Sequence, residues 1–224
     1  MNLTFASSKG GVGKTTSCAS LGALLAHQGE PTLIFDLDPN QPLARWAEMA
    51  RIDNLTVHAV KESGFKAAYK ECVADNAHRH ILIDLPGLDQ GLNLKAVSVA
   101  HLVIIPAHLS ELDLFEAARM VDRIDDVSEV SGRDIPYRLL YTQVRALGPT
   151  HAQRFLLEQM LDAGHKRLRS ELVQRNVYVE MFINGVPPFQ VEVERGAGPE
   201  LSTLLAEIEE TIVAENTPRL KEVV

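Results

Sequence analysis

Ser8-Lys9-Gly10-Gly11-Val12-Gly13-Lys14-Thr15-Thr16 brings three glycines, two lysines and a pair of threonine hydroxyls together near the start of the chain, between a short apolar run and a long segment of helical period. Glycines at this spacing let successive backbone N–H groups close around phosphate oxygens, and the helix that follows adds the positive potential of its N-terminus. Lys14 is placed to neutralise the β- and γ-phosphates of a nucleotide. The Thr15 hydroxyl is placed to ligate a magnesium ion whose shell is completed by phosphate oxygens and water. The strict phosphate-loop pattern has glycine at position 8, where this chain has Ser8, and it has no counterpart to the second lysine, Lys9.

Two acidic segments follow. Ile34-Phe35-Asp36-Leu37-Asp38-Pro39-Asn40 sets two carboxylates at the exit of an apolar run, the edge of an open α/β sheet where ligands bind. His80-Ile81-Leu82-Ile83-Asp84-Leu85-Pro86-Gly87 is an apolar strand ending in an acid, so Asp84 is expected to reach magnesium through water. Gly87 could offer its backbone N–H to the terminal phosphate.

The elements that must carry these residues read as a doubly wound α/β fold, a mainly parallel sheet flanked by helices. Apolar runs rich in Val, Ile and Leu alternate with longer helical segments over one domain spanning residues 1–224. Strands are expected near Leu3–Ala6, Thr32–Phe35, Leu55–Ala59, His80–Ile83, Leu102–Ile105, Tyr137–Tyr141 and Val177–Val179. A last helix from about Pro199 to Ala214 aligns Leu201, Leu204, Leu205, Ile208 and Ile212 in one apolar stripe.

Of 224 residues, 46% are hydrophobic and 23% charged, the composition of a water-soluble chain with a sizeable core. There is no basic start with an apolar stretch and no run of roughly 20 apolar residues, so a cytoplasmic protein without stable membrane association is expected. Cys18 and Cys72 fit no disulfide or metal spacing, and the histidines, including His78 and His80, show no ligand pattern. No metal beyond magnesium is therefore expected. Trp46 falls on a helix just after the acidic pair, where a core or interface position is favoured over a moving reporter of nucleotide state. A net charge of −8 argues against constitutive wrapping of nucleic acid, although Lys166, Arg167 and Arg169 form a local basic cluster.

Lys9-Gly10-Gly11-Val12-Gly13-Lys14-Thr15-Thr16 resembles the signature of the ParA/MinD family of deviant Walker A ATPases, and the likeness runs along nearly the whole chain. It is nearest to the small ParA-like proteins of partition and conjugative DNA transfer. The resemblance implies ATP and Mg2+ as ligands and an ATP-dependent homodimer in which Lys9 reaches the partner's phosphates. The facing arrangement gives a second loop lysine a use that one chain lacks. It makes Lys9, Lys14 and Asp38 the catalytic set, with Asp38 positioning the attacking water and Asp36 supporting the metal shell beside Thr15 and Asp84. Gln143 and Arg145, in Tyr141-Thr142-Gln143-Val144-Arg145, fall where relatives contact the base. Phe182 to Gly196 is similar to the family's loop near the base, but Val186-Pro187-Pro188 stands where relatives often carry a basic residue.

The implied function is partition or positioning of plasmid or chromosomal DNA, or of a transfer complex. DNA is bound without sequence preference at the nucleoid, and a small ParB-like DNA-binding adaptor stimulates a slow ATPase. No separate N-terminal DNA-reading domain is expected. The dimer would double the Lys166, Arg167 and Arg169 cluster, with Arg195, Arg219 and Lys221 as the other candidate face. A MinD-like membrane regulator would want a more basic amphipathic tail, and a metabolic kinase or ligase of the same superfamily would want a pocket for a small acid.

Overall fold

Strand β1 (Asn2–Phe5) runs through the middle of a seven-stranded sheet of order β3-β2-β4-β1-β5-β6-β7, and every pairing in it is parallel. The other strands are β2 (Thr32–Asp36), β3 (Leu55–Ala59), β4 (His80–Asp84), β5 (Leu102–Ala107), β6 (Tyr137–Val144) and β7 (Leu172–Val173). This computed structural model describes residues 1–87 and 95–216. The helices are α1 (Lys14–His27), α2 (Pro42–Ala50), α3 (Glu62–Asp75), α4 (Glu111–Ser131), α5 (His151–Asp162), α6 (Val177–Asn184), α7 (Pro188–Val191) and α8 (Ala197–Asn216). The doubly wound α/β fold expected from the alternation of apolar runs and helical segments is the fold observed.

Side chains of each strand alternate between two cores. Leu33, Phe35, Ile81, Ile83, Val103 and Ile105 face one core, with Phe65 of α3 and Ala117, Met120 and Ile124 of α4. Leu3, Phe5, Ile34, Leu82 and Ile104 face the other, with Leu21 and Leu25 of α1, Trp46 of α2 and the stripe Leu201, Leu204, Leu205 and Ile208 of α8. Each fully buried Leu, Ile or Phe contributes about 1.5–3 kcal/mol relative to exposure. Burial on both faces explains why the strands read as continuous apolar runs.

Register carries the functional consequence. Asp36 is the β2 partner of Asp84 on β4, and Asp84 is in turn the partner of Phe5 on β1. Three neighbouring strands thus end at one level. The glycine-rich loop leaves β1 beside two carboxylates, at the carboxyl edge where the strand order reverses.

One strand lies elsewhere than expected. Val177–Val179 is the first turn of α6, and the seventh strand is the two-residue β7 just upstream. Val-Tyr-Val favours a strand locally, but Val177, Tyr178 and Met181 point into the α1–α8 core from one helical face, and Gly185 ends the helix in the left-handed region at φ 76°. Tertiary packing overrides propensity here. Trp46 is only 2% exposed and packs near Phe182 with ring centroids 6.2 Å apart, a core position.

Candidate functional site

The phosphate loop is built on left-handed backbone. Gly11 has φ 78°, and Gly13, the N-cap of α1, has φ 90°, values that side-chain-bearing residues rarely adopt. From this start the amides of α1 point toward the space above the loop. Lys14 is 7% exposed and its Nζ donates to the Lys9 carbonyl at 2.8 Å. Burial lowers its pKa, with Asp84 and Asp38 opposing that shift. β6 braces the loop from below, because Thr142 Oγ1 donates to Val12 O at 2.8 Å and Gln143 Nε2 to Gly11 O at 3.3 Å. Gly87 closes the other flank, where a Cβ would lie 3.4 Å from Gly10 N and 3.5 Å from Lys14 Nζ.

Asp84 meets α1 directly. The Thr15 hydroxyl donates to its Oδ2 at 2.7 Å, while its Oδ1 is buried without a hydrogen-bond partner. Burial, aided by the like charges of Asp36 and Asp38, pushes the Asp84 carboxyl up to about 7 against the Thr15 hydrogen bond and Lys14. An orphaned buried oxygen beside a hydroxyl fits a hydrated magnesium ion, which takes one or two protein oxygens and keeps several waters. No group of three or more His, Cys, Asp or Glu suited to hold a metal exists among the described residues, so phosphate and water would supply the rest of the shell. When bound, magnesium would neutralise phosphate charge, with Thr15 and Asp84 orienting it.

Asp36, expected in the metal shell, has its oxygens engaged by backbone. Oδ2 accepts from Leu43 N at 2.8 Å and Ala44 N at 3.1 Å, and Oδ1 accepts from Asp38 N at 3.2 Å. Gln41, the N-cap of α2, makes no side-chain cap, so the strand-borne Asp36 satisfies the orphan amides that follow Pro42. Burial still raises its pKa against those three amides. Asp38 is half-buried, accepts from Asn40 N at 2.8 Å and stands close enough to act electrostatically on both Lys14 and Asp84.

Lys9 turns away from its own cradle. Its ammonium pairs with Asp113 in the first turn of α4, and the preceding Ser8 donates to Glu116 Oε2 at 2.6 Å. Asp113 also takes the Ser110 hydroxyl at 2.7 Å and faces His108 Nδ1 at 3.4 Å. Burial pushes the Asp113 carboxyl up, but Lys9 and Ser110 outweigh it and hold the carboxyl below its usual range. Asp113 and Glu116 were not expected in the site. Ser110-Glu111-Leu112-Asp113 has the Ser-x-x-acid form of a helix start, but no spacing in the sequence links it to Lys9.

A cavity of about 180 Å³ opens beside the loop, lined by Gly13, Thr16, Thr142 and Gln143 on one side and Leu172 to Asn176 with Tyr178 and Val179 on the other. Gln143, expected near the base, lines this cavity. Arg145 is exposed and is not part of that lining. The basic cluster lies elsewhere, and each of its cations faces an acid: Lys166 is 3.5 Å from Glu215, Arg167 3.6 Å from Glu171, and Arg169 3.3 Å from Glu207. Its charge is largely offset. Arg195 is exposed, whereas Arg219 and Lys221 lie outside the described residues. Among the described residues no helix is long and apolar enough to cross a membrane.

The model of the VirC1 protein family matches residues 1–216. Protein ParA of Rhizobium radiobacter is 32% identical over 179 residues, covering 79% of this chain and 80% of that protein. Protein virC1 of Rhizobium rhizogenes is 30% identical over 189 residues, covering 82% of this chain and 81% of its own. Among solved structures, the MinD cell division protein of Aquifex aeolicus superposes with a TM-score of 0.75 at 18% identity, over 93% of this chain and 97% of that one, a likeness of fold. With the two-lysine loop, the aligned Asp36 and Asp84, and this match along nearly its whole length, the chain belongs to the VirC1 family of ParA/MinD-like P-loop ATPases.

Proposed function

We propose that this protein is an ATP-driven molecular switch that dimerises on ATP and Mg2+, holds DNA without sequence preference and positions plasmid or chromosomal DNA or a transfer complex. A small DNA-binding adaptor or the transfer complex itself stimulates its hydrolysis. The observation that carries the reading is the orientation of Lys9, whose side chain lies on α4 and leaves its own loop to Lys14. A lysine that its own cradle does not use is available to a facing subunit, where it would stabilise charge on the partner's phosphates in trans.

In this scheme the loop from Gly10 to Thr16 binds the phosphates, Thr15 and Asp84 hold the metal, and Asp38 orients the attacking water. Hydrolysis removes the γ-phosphate that Gly87 and Lys9 would sense, and the dimer falls apart. Support for the DNA arm comes from the ParA likeness rather than from Lys166, Arg167 and Arg169, whose glutamate partners would have to be displaced first.

Light scattering and gel shifts with unrelated duplexes, run with ATP, with ADP and without nucleotide, test the switch. Dimers and salt-sensitive DNA binding with ATP and magnesium alone are expected. DNA binding absent or equal in all three states would remove the DNA arm and favour a MinD-like regulator. A chain that never dimerises would remove the switch.

A further inference from the structure

Behind the cavity beside the phosphate loop, one carboxylate gathers donors from three positions of the same wall. Glu200, in the first turn of α8, accepts on Oε1 from Val173 N at 3.0 Å and from the Tyr178 hydroxyl at 2.8 Å. Its Oε2 takes Nε and Nη2 of Arg175, both at 3.3 Å. Val173, Arg175 and Tyr178 all line the cavity, and Glu200 does not. The wall needs such a brace, because β7 is two residues long and joins β6 across a shift of register between Thr142 and Val144. A strand this short cannot fix its own position through the sheet.

The brace is itself immobilised. A Cβ at Gly198 would lie 2.5 Å from the Glu192 carbonyl and 2.6 Å from that of Val193, so the start of α8 is seated directly on that backbone. Glu192 Oε2 accepts from Ala197 N at 2.7 Å and stands 3.6 Å from Arg175 Nη1, placing a second carboxylate on the same guanidinium. With its side chain 11% exposed and four donors upon it, Glu200 makes charge-assisted bonds in a setting that water screens little.

We infer that Glu200 is the positioning residue of the nucleobase pocket. It holds the wall from Leu172 to Tyr178 at the separation from the loop that grips the base of a nucleoside triphosphate, and it does so without touching the nucleotide. The inference rests on the nucleotide reading under "Proposed function". It extends the binding site to α8, which among the described residues contributes no side chain to the phosphate cradle.

Calorimetry on the full chain with magnesium and either ATP or tripolyphosphate, which shares the phosphate chain and lacks the base, separates these claims. The wild-type protein is expected to bind ATP more tightly. If it binds neither ligand, the nucleotide reading falls and takes the inference with it; if it binds both equally, the nucleotide reading stands and the inference alone is overturned. Glu200→Ala is expected to weaken ATP by about tenfold or more while leaving tripolyphosphate unchanged. No change in ATP affinity, or an equal loss for both ligands, overturns the inference.

Glu200→Gln keeps the volume and an acceptor for Val173 and Tyr178, and it decides the matter if the alanine variant does not fold. It removes the charge facing Arg175, so it is expected to lose part of the ATP affinity and none of the tripolyphosphate affinity. ATP binding equal to wild type in this variant would likewise count against the role.

Discussion

Lys9 and Asp113 form an ion pair that ties the phosphate loop to the first turn of α4, with Asp113 6% exposed and Lys9 39% exposed. In the proposed dimer, Lys9 would have to leave this partner to reach the facing subunit, so the pair would oppose dimerisation. Asp113→Asn keeps the Ser110 contact while removing the charge. With Lys9 partly in water, the variant is expected to dimerise on ATP at about fivefold lower protein concentration. Sedimentation with ATP and magnesium measures the midpoint, and an unchanged or higher midpoint would show that the pair does not restrain Lys9.

Lys14→Ala removes the buried ammonium at the centre of the cradle. ATP affinity is expected to fall by about a hundredfold or more, since charge-assisted contacts to phosphate are lost in a poorly hydrated site. Calorimetry on the folded variant checks it. Retained affinity would mean that the nucleotide binds elsewhere.

Asp38→Ala is expected to leave ATP affinity within about threefold of wild type and to slow hydrolysis by about a hundredfold, the scale of a lost water-orienting base. ATP dimers should then accumulate. Phosphate-release assays beside light scattering give both readings, and a monomer with normal turnover would end the role assigned to this carboxylate.

His80 supplies a pH dependence. Burial first, and the nearby amino terminus second, lower its imidazole to about 4, against the pull of Glu30. The native state thus stays neutral while the unfolded chain takes up a proton near 6.5, so stability is complete above pH 6.5 and declines as pH falls toward 4. His78 and His101 shift in the same direction. Urea denaturation across that interval should show a shallower acid slope for His80→Gln; an unchanged slope would exclude His80 as a source.

The parts of the site legible in the sequence are those whose chemistry is local. Gly10 to Thr16 specify the cradle because glycine conformation and helix start act within one turn, and Asp84 is announced by the apolar strand before it. Contacts between separate elements are what the sequence hides: nothing in residues 32–36 shows that the Asp36 carboxylate will be taken up by Leu43 N and Ala44 N in capping α2. Asp113 and Glu200 were invisible for the same reason, since each meets the loop or its pocket only after distant elements pack. Val177–Val179 shows the opposite failure, a local preference for strand overruled by the face that Val177, Tyr178 and Met181 bury.

The brevity of β7 has a consequence for assembly. A sheet ending in a long free strand offers a ladder of amides and carbonyls onto which another chain can add, whereas two residues offer too few rungs to template such growth. Recruitment of a second subunit by extending the sheet is therefore closed at this end. At the opposite edge the five-residue β3 keeps such a ladder, so growth by strand addition has one side of the sheet to use and is denied the side next to the cavity.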